Sequence, residues 1–302
     1  MKNSSKLLPL KRRNFIALTG TATASIILSP ILTMAESSKK QVTVKDIMNT
    51  YINQLATGPI ANTVDTLKSG SPDLVVTGIV TCMFATIEVI NKAIAIGANF
   101  IVAHEPTFYN HQDATKFLQN DEVYKFKSEL LKKHNIAVWR NHDNIHSIQP
   151  DGVWESLVEK LGWEKQLNNE KRIYNFNPSI SFKNLITALK TKLEIPALRY
   201  IGDMNQQCSK VLLMVGAAGG QRQIEAIGKF NPDVLVTGEI AEWETAEYVR
   251  DARASGKKLS LIILGHIASE EWGSKYMEEW LKNKFPDIKT TFIRTGASLS
   301  II

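Results

Sequence analysis

Residues 77–109 read TGIVTCMFATIEVINKAIAIGANFIVAHEPTFY. An apolar run ending at Thr81 gives way to a segment whose Ile87, Ile90 and Ile94 share one helical face. A second short apolar run, Asn99–Ala103, then stops at His104-Glu105-Pro106. Short, continuously apolar strands flanking a helix are what a sheet covered on both faces requires, so the stretch predicts an α/β fold. In such sheets the loops leaving the carboxyl ends of strands line the ligand crevice, which directs attention to the residues that follow Ala103.

The same alternation extends in both directions. Strands are predicted at Leu74–Thr81, Ile136–Arg140, Val211–Val215, Asp233–Thr237, Leu259–Leu264 and Thr290–Arg294. Helices are predicted at Thr86–Ile96, at Asp121–Lys133 and from Ser181 or Asn184 to Leu193. A further helix after residue 270 is striped by Trp272, Met277, Trp280 and Leu281. The polar stretch Glu164–Asn177 reads as the boundary between an N-terminal α/β lobe, 36–165, and a C-terminal one, 166–302. Each lobe repeats strand, helix, strand, helix. The expectation is two related, interleaved α/β lobes with a site in the cleft between them.

At 302 residues, 44% apolar and 22% charged, the composition excludes a disordered chain or a disulfide scaffold. The net charge of +6 misleads: Lys2, Lys6, Lys11, Arg12 and Arg13 stand among the first 35 residues with no acid. The rest of the chain is left nearly neutral, and nucleic acid is not an expected partner. Those 35 residues, with paired Arg12-Arg13 ahead of a diluted apolar segment interrupted by Pro30, resemble a twin-arginine export signal with a small-residue cleavage context at Thr33-Met34-Ala35. The segment is too polar to predict a membrane span. The protein is therefore expected to be periplasmic or otherwise exported, with no stable membrane anchor after cleavage. Cys82 ends an apolar strand and reads as a small buried residue, and no cysteine spacing suggests a metal or redox site.

Three strand ends deliver imidazole. His104 and Glu105 follow one strand, His142 and His146 another, and His266 a third, with Glu270 four residues on and so on the same helical side. Imidazole and carboxylate together suit Zn, Fe or Mn. His134, closing a predicted helix, complements its C-terminal dipole, and His111, in a polar loop, has no partner pattern.

Residues 77–109, RNHDNIHS (140–147), DVLVTGEIAEWETAEY (233–248) and GHIASEEWG (265–273) resemble, in the same order and over essentially the whole chain after residue 35, the NIF-three-like family. These are dinuclear-metal-centre proteins also known as the GTP cyclohydrolase 1 type 2 family. Family members carry His-His-Pro at the first strand end, His-Thr-Asn-Leu-Asp in the loop, and Gly-His with Glu four residues later. The resemblance implies metal ligands at His104, at Glu105 in place of a His, at His146 in place of an Asp, and at His266 and Glu270, which match outright. The two departures exchange types, so three imidazoles and two carboxylates remain. Asp143 is a rival ligand if the loop is shifted by three residues, and His142 matches a family His that orients ligands. Phe84 stands where members often have Asp. GAAGG (216–220) reads as a tight turn, with a phosphate cradle of backbone N–H groups as the alternative.

The resemblance further implies two divalent ions. Against a ligand charge of −2 they leave about +2, which favours a bridging hydroxide and an anionic substrate. The expected activity is that of a metal-dependent hydrolase with Glu270 and Glu239 as candidate catalytic groups. Its expected partner is a small molecule, with phosphorylated compounds and nucleotide or heterocyclic rings among the candidates. Export from the cytoplasm argues against GTP itself. The alternative is a non-enzymatic metal-binding or interaction protein. The family also implies a homo-oligomer, a hexamer.

Overall fold

The computed structural model describes residues 41–168, 172–300 and 302, so the expected export segment, 1–35, lies outside the described residues. Three strands buried at every position, β2 (Ile79–Cys82), β3 (Phe100–Ala103) and β4 (Ala137–Arg140), run parallel, with Ile79 opposite Phe100 and Phe100 opposite Ala137. An antiparallel strand, β1 (Leu67–Ser69), closes one edge on β4. The last strand of the chain, β10 (Thr290–Phe292), returns to the other edge beside β2. The second sheet has the order β5-β7-β8-β9-β6, built from β5 (Ile173–Ser181), β6 (Arg199–Ile201), β7 (Gln207–Met214), β8 (Val234–Thr237) and β9 (Ser260–Ile263). Its β7, β8 and β9 are parallel, while both edges are antiparallel. The two sheets share a plan, and the return of β10 interleaves them.

Helices start where polar side chains can take up free backbone N–H groups. Thr43 and Asp46 form a reciprocal capping box on α1 (Val44–Ile52). Thr86, Asp121 and Ser181 cap α2 (Ile87–Ala95), α3 (Glu122–Lys133) and α6 (Phe182–Leu193). Against the first sheet, α2 and α3 pack Ile90, Ala93 and Leu131 onto Val80, Ile101 and Val138. Its other face carries α1 and the later turns of α9 (His266–Lys284), where Tyr51 meets Trp139 and Trp280 edge-on. The second sheet is covered on one face by α5 (Gly152–Leu161) and α6, and on the other by α7 (Gly220–Phe230) and α8 (Glu247–Ala254).

Helix α9 belongs to both cores, through Ala268 on the second sheet and through Met277, Trp280 and Leu281 on the first. It crosses α5 closely enough that a Cβ at Gly273 would stand 2.7 Å from Val153 Cγ2, which is why glycine sits in the middle of this helix.

Some boundaries differ from expectation. The predicted strand at 74–81 is regular only from Ile79, because Leu74 and Val76 bond instead to the segment leading into α1. The polar stretch 164–177 is not wholly a linker: its end is β5, an edge strand mostly open to solvent after Tyr174 and therefore rich in Asn. The helix expected after residue 270 already begins at His266. Cys82 and Cys208 are buried free thiols in different sheets. Among the described residues, no helix is long and apolar enough to cross a membrane.

Candidate metal centre

The carboxyl ends of parallel strands from both sheets converge on one cluster. Pairing continues past β3, where His104 and Glu105 donate their backbone N–H groups to Cys82 and Met83. Glu105 thereby reaches the same point as His266, the first residue of α9. After β4 the chain turns into the five-residue α4 (Asp143–Ser147). The buried Asp65 carboxylate accepts the N–H groups of His142 (2.7 Å), Asp143 (3.0 Å) and Asn144 (2.7 Å) and pins that turn.

Each of four imidazoles has its Nδ1 beside a group that can only accept. His104 Nδ1 is 3.3 Å from Asn141 O, His142 Nδ1 is 2.9 Å from Asp143, His146 Nδ1 is 3.0 Å from Asp151, and His266 Nδ1 is 3.1 Å from Glu239. A carbonyl or carboxylate oxygen requires the proton on Nδ1, which leaves the lone pair of His104, His142 and His146 on Nε2, whereas His266 faces carboxylates with both ring nitrogens and carries a proton on each. His104 Nε2 is buried and, at 3.5 Å from Glu270 Oε2, has no well-formed hydrogen bond. His142 Nε2 lies 3.6 Å from Glu105 Oε1, and His266 Nε2 lies 3.2 Å from Glu105 Oε1 and 2.9 Å from Glu270 Oε2. The rings of His104, His142 and His146 lie within 4.8 to 5.2 Å of one another.

Two overlapping groups could hold a metal ion: His104, His142 and His146, and His104, Glu105 and Glu270. In each, the ligand atoms lie within 4.8 Å of one another. Electrostatics agree with the geometry. Burial disfavours charge on His266, yet hydrogen bonds to Glu105 and Glu270 push its pKa up to about 10. Burial likewise opposes the Glu270 carboxylate, but His104 and His266 hold it below the usual carboxylate range. His142 is pushed down to about 4 by burial and by the neighbouring His104. The protonated His266 supplies the positive charge that Glu105 and Glu270 face, a charge that a bound cation could supply in its place.

The residues expected from sequence, His104, Glu105, His146, His266 and Glu270, lie in this one cluster. Glu239 reaches it through His266 while staying 55% exposed. His142, expected only to orient ligands, stands in one of the two candidate groups. Asp143, the rival, directs its oxygens to Thr63, Val64 and His142. His111, which has no pattern in the sequence, packs its ring 5.9 Å from His142. Phe84 lies edge-on to His266 at 6.3 Å.

Gly216 holds φ at +61°, and a Cβ there would fall 2.2 Å from Glu270 Oε1, so the first glycine of GAAGG makes room for that carboxylate. The last, Gly220, abuts Glu244, so the chain's own acid stands beside the start of α7 where a phosphate was the alternative reading.

Sequence reasoning missed Asp65, Asp151 and Arg140. Asp151 takes the N–H groups of Val153 and Trp154 on one oxygen and His146 on the other. Arg140 is wholly buried and bonds Glu105 Oε2 at 3.2 Å. Its signal was an arginine closing an otherwise apolar strand.

Fold and site together define a two-sheet α/β protein whose strand ends meet in a buried histidine–carboxylate cluster suited to metal. The chain belongs to the Duf34/NIF3 (NGG1p interacting factor 3) family, whose profile matches residues 42–297. A "GTP cyclohydrolase 1 type 2 homolog" of Clostridium perfringens is 27% identical over 214 residues, 68% of this chain and 77% of that protein. A Clostridium acetobutylicum protein of the same name is 25% identical over 219 residues, 69% of this chain and 77% of that one. Among solved structures, a Staphylococcus aureus hypothetical protein superposes with a TM-score of 0.68 at 21% identity, covering 87% of this chain and all of that one. A Bacillus cereus protein related to NIF3 gives 0.67 at 16% identity, covering 87% and 99%. These two establish likeness of fold.

Proposed function

We propose that the protein holds two divalent ions, Zn, Fe or Mn, and uses them to hydrolyse a small molecule. The observation that carries this reading is the common tautomer of His104, His142 and His146, the three rings of one candidate group: each has Nδ1 committed to an acceptor and Nε2 left as a lone pair, the arrangement that metal-binding histidines need. His104, His142 and His146 would supply a nitrogen-rich position, and Glu105, Glu270 and His266 an oxygen-rich one. Such a pair of ions supplies Lewis acidity and a water of lowered pKa, bridging the two positions in the form we favour.

The chain's own groups supply the rest. Glu270 lies between His104 and His266 and would bridge the two positions. Glu239, bonded to His266 and open to solvent, is placed to pass a proton to or from a departing group. His142, His146 and Glu239 give the cluster a partly exposed side from which a substrate can arrive, which favours an enzyme over a closed structural centre. The names of the clostridial relatives support testing ring-opening of nucleotides and related heterocycles first, phosphorylated ones included.

We further propose export through the twin-arginine pathway on the strength of residues 11–35, and assembly into a homo-oligomer, a hexamer by family resemblance. The test is elemental analysis of anaerobically purified protein beside His104→Ala and Glu270→Ala, followed by a substrate screen with the matched metal. Equal, low metal content in all three proteins refutes the reading.

A further inference from the structure

Glu105 is an unusual donor for the oxygen-rich position, because only one of its oxygens faces the cluster. Oε1 lies 3.2 Å from His266 Nε2 and 3.6 Å from His142 Nε2, whereas Oε2 is bonded by Arg140 Nη2 at 3.2 Å. Arg140 has little freedom to move away. Its side chain is wholly buried, Nε is 3.4 Å from His104 O, and Nη1 serves His111 O and Asp113 Oδ2. Asp113 is anchored in turn by Lys68 at 3.3 Å and by the Phe108 N–H at 2.7 Å. A row of alternating charge, Lys68, Asp113, Arg140, Glu105, therefore runs inward to the cluster and ends on the carboxylate.

We propose that Arg140 is a positioning residue that restricts Glu105 to a single donor oxygen and thereby sets which ions the oxygen-rich position prefers. The inference rests on the two-ion reading. A carboxylate free to turn can offer both oxygens, and Ca²⁺ seeks six to eight oxygen ligands at 2.3–2.6 Å, often with bidentate carboxylates. A carboxylate clamped on one side by a planar guanidinium offers one oxygen, which suits ions of low coordination number such as Zn²⁺. Arg140 would thus discriminate against large oxygen-seeking ions without touching the metal, and its effect would appear in a ratio of affinities.

The experiment titrates metal-stripped protein with Zn²⁺ alone and with Ca²⁺ alone by calorimetry, for wild type, Arg140→Gln, Arg140→Lys and Arg140→Gln/Glu105→Gln, with folding checked by circular dichroism. In Arg140→Gln the Ca²⁺ to Zn²⁺ affinity ratio at one of the two positions should rise at least about tenfold, as Oε2 becomes available. Arg140→Lys keeps the buried charge but loses the fork. It should shift the ratio the same way by less, and it serves as the deciding variant if Arg140→Gln does not fold. Adding Glu105→Gln should abolish the gain.

A ratio within twofold of wild type in every folded Arg140 variant overturns the inference, as does a gain that survives the loss of the Glu105 charge. Wild type binding neither ion would instead refute the two-ion reading, whereas two ions bound with unchanged ratios would refute only the role of Arg140.

Discussion

Asp151 allows folding and metal binding to be separated by one atom. Its Oδ1 accepts the Val153 and Trp154 N–H groups at 2.9 and 3.1 Å, capping α5, and its Oδ2 accepts from His146 Nδ1 at 3.0 Å. Asn caps a helix about as well as Asp, so Asp151→Asn should leave the stability of metal-stripped protein within about 0.5 kcal/mol, whereas Asp151→Ala should lose about 0.5–2 kcal/mol. The amide cannot serve both partners, however. With its oxygen on the helix, its NH₂ faces His146, which must then accept on Nδ1 and carry its proton on Nε2, where a metal would bind. Loss of such an orienting partner costs ten- to a hundredfold in metal affinity, about 1.4–2.7 kcal/mol. Thermal unfolding of the stripped proteins measures the first effect and Zn²⁺ calorimetry the second. If Asp151→Asn binds Zn²⁺ within twofold of wild type, the tautomer argument fails for His146.

Three further outcomes are expected. The folded pKa of His266, about 10, lies above its unfolded value near 6.5, so its proton contributes stability that is fully present below about pH 6.5 and lost as pH rises through about 10. The melting temperature of metal-stripped protein should fall across that window, and His266→Gln should flatten the fall; parallel curves would dismiss the assignment. Glu239→Gln should keep full metal content yet lower kcat on any substrate found by about 10²-fold or more, and unchanged turnover would dismiss it from proton transfer. Gly273→Ala should destabilise by roughly 1–2 kcal/mol in denaturant unfolding, because overpacking against Val153 outweighs the helix propensity gained; a more stable variant would contradict the close crossing of α5 and α9.

The fold was legible where burial is two-sided. β3 is apolar throughout and β4 is apolar up to the Arg140 that closes it, so their ends, and the histidines that follow, could be placed from the sequence. Edge strands were harder. β1 and β6 are three residues long with no fully buried position, and β5 mixes Asn with apolar residues because one side faces water. Within the site, His104, Glu105, His266 and Glu270 could be found because each is tied to a strand end or a helical spacing. Asp65 is different: it lies in irregular chain far ahead of the loop it pins, and only tertiary contact reveals its role. Asp151 caps α5 with one oxygen and holds His146 with the other, and one side chain serving two partners leaves no local pattern.

Helix α9 begins with two donors in the cluster and ends wedged beneath the first sheet, where Trp280 meets Tyr51. A rigid rod fastened at both ends transmits what happens at either. A cation drawing on His266 and Glu270 pulls on the same strut that seals the tryptophan-lined floor, so occupancy should slow amide exchange in α1 as well as beside the ligands. The ion would then act as a tension bolt for the whole architecture.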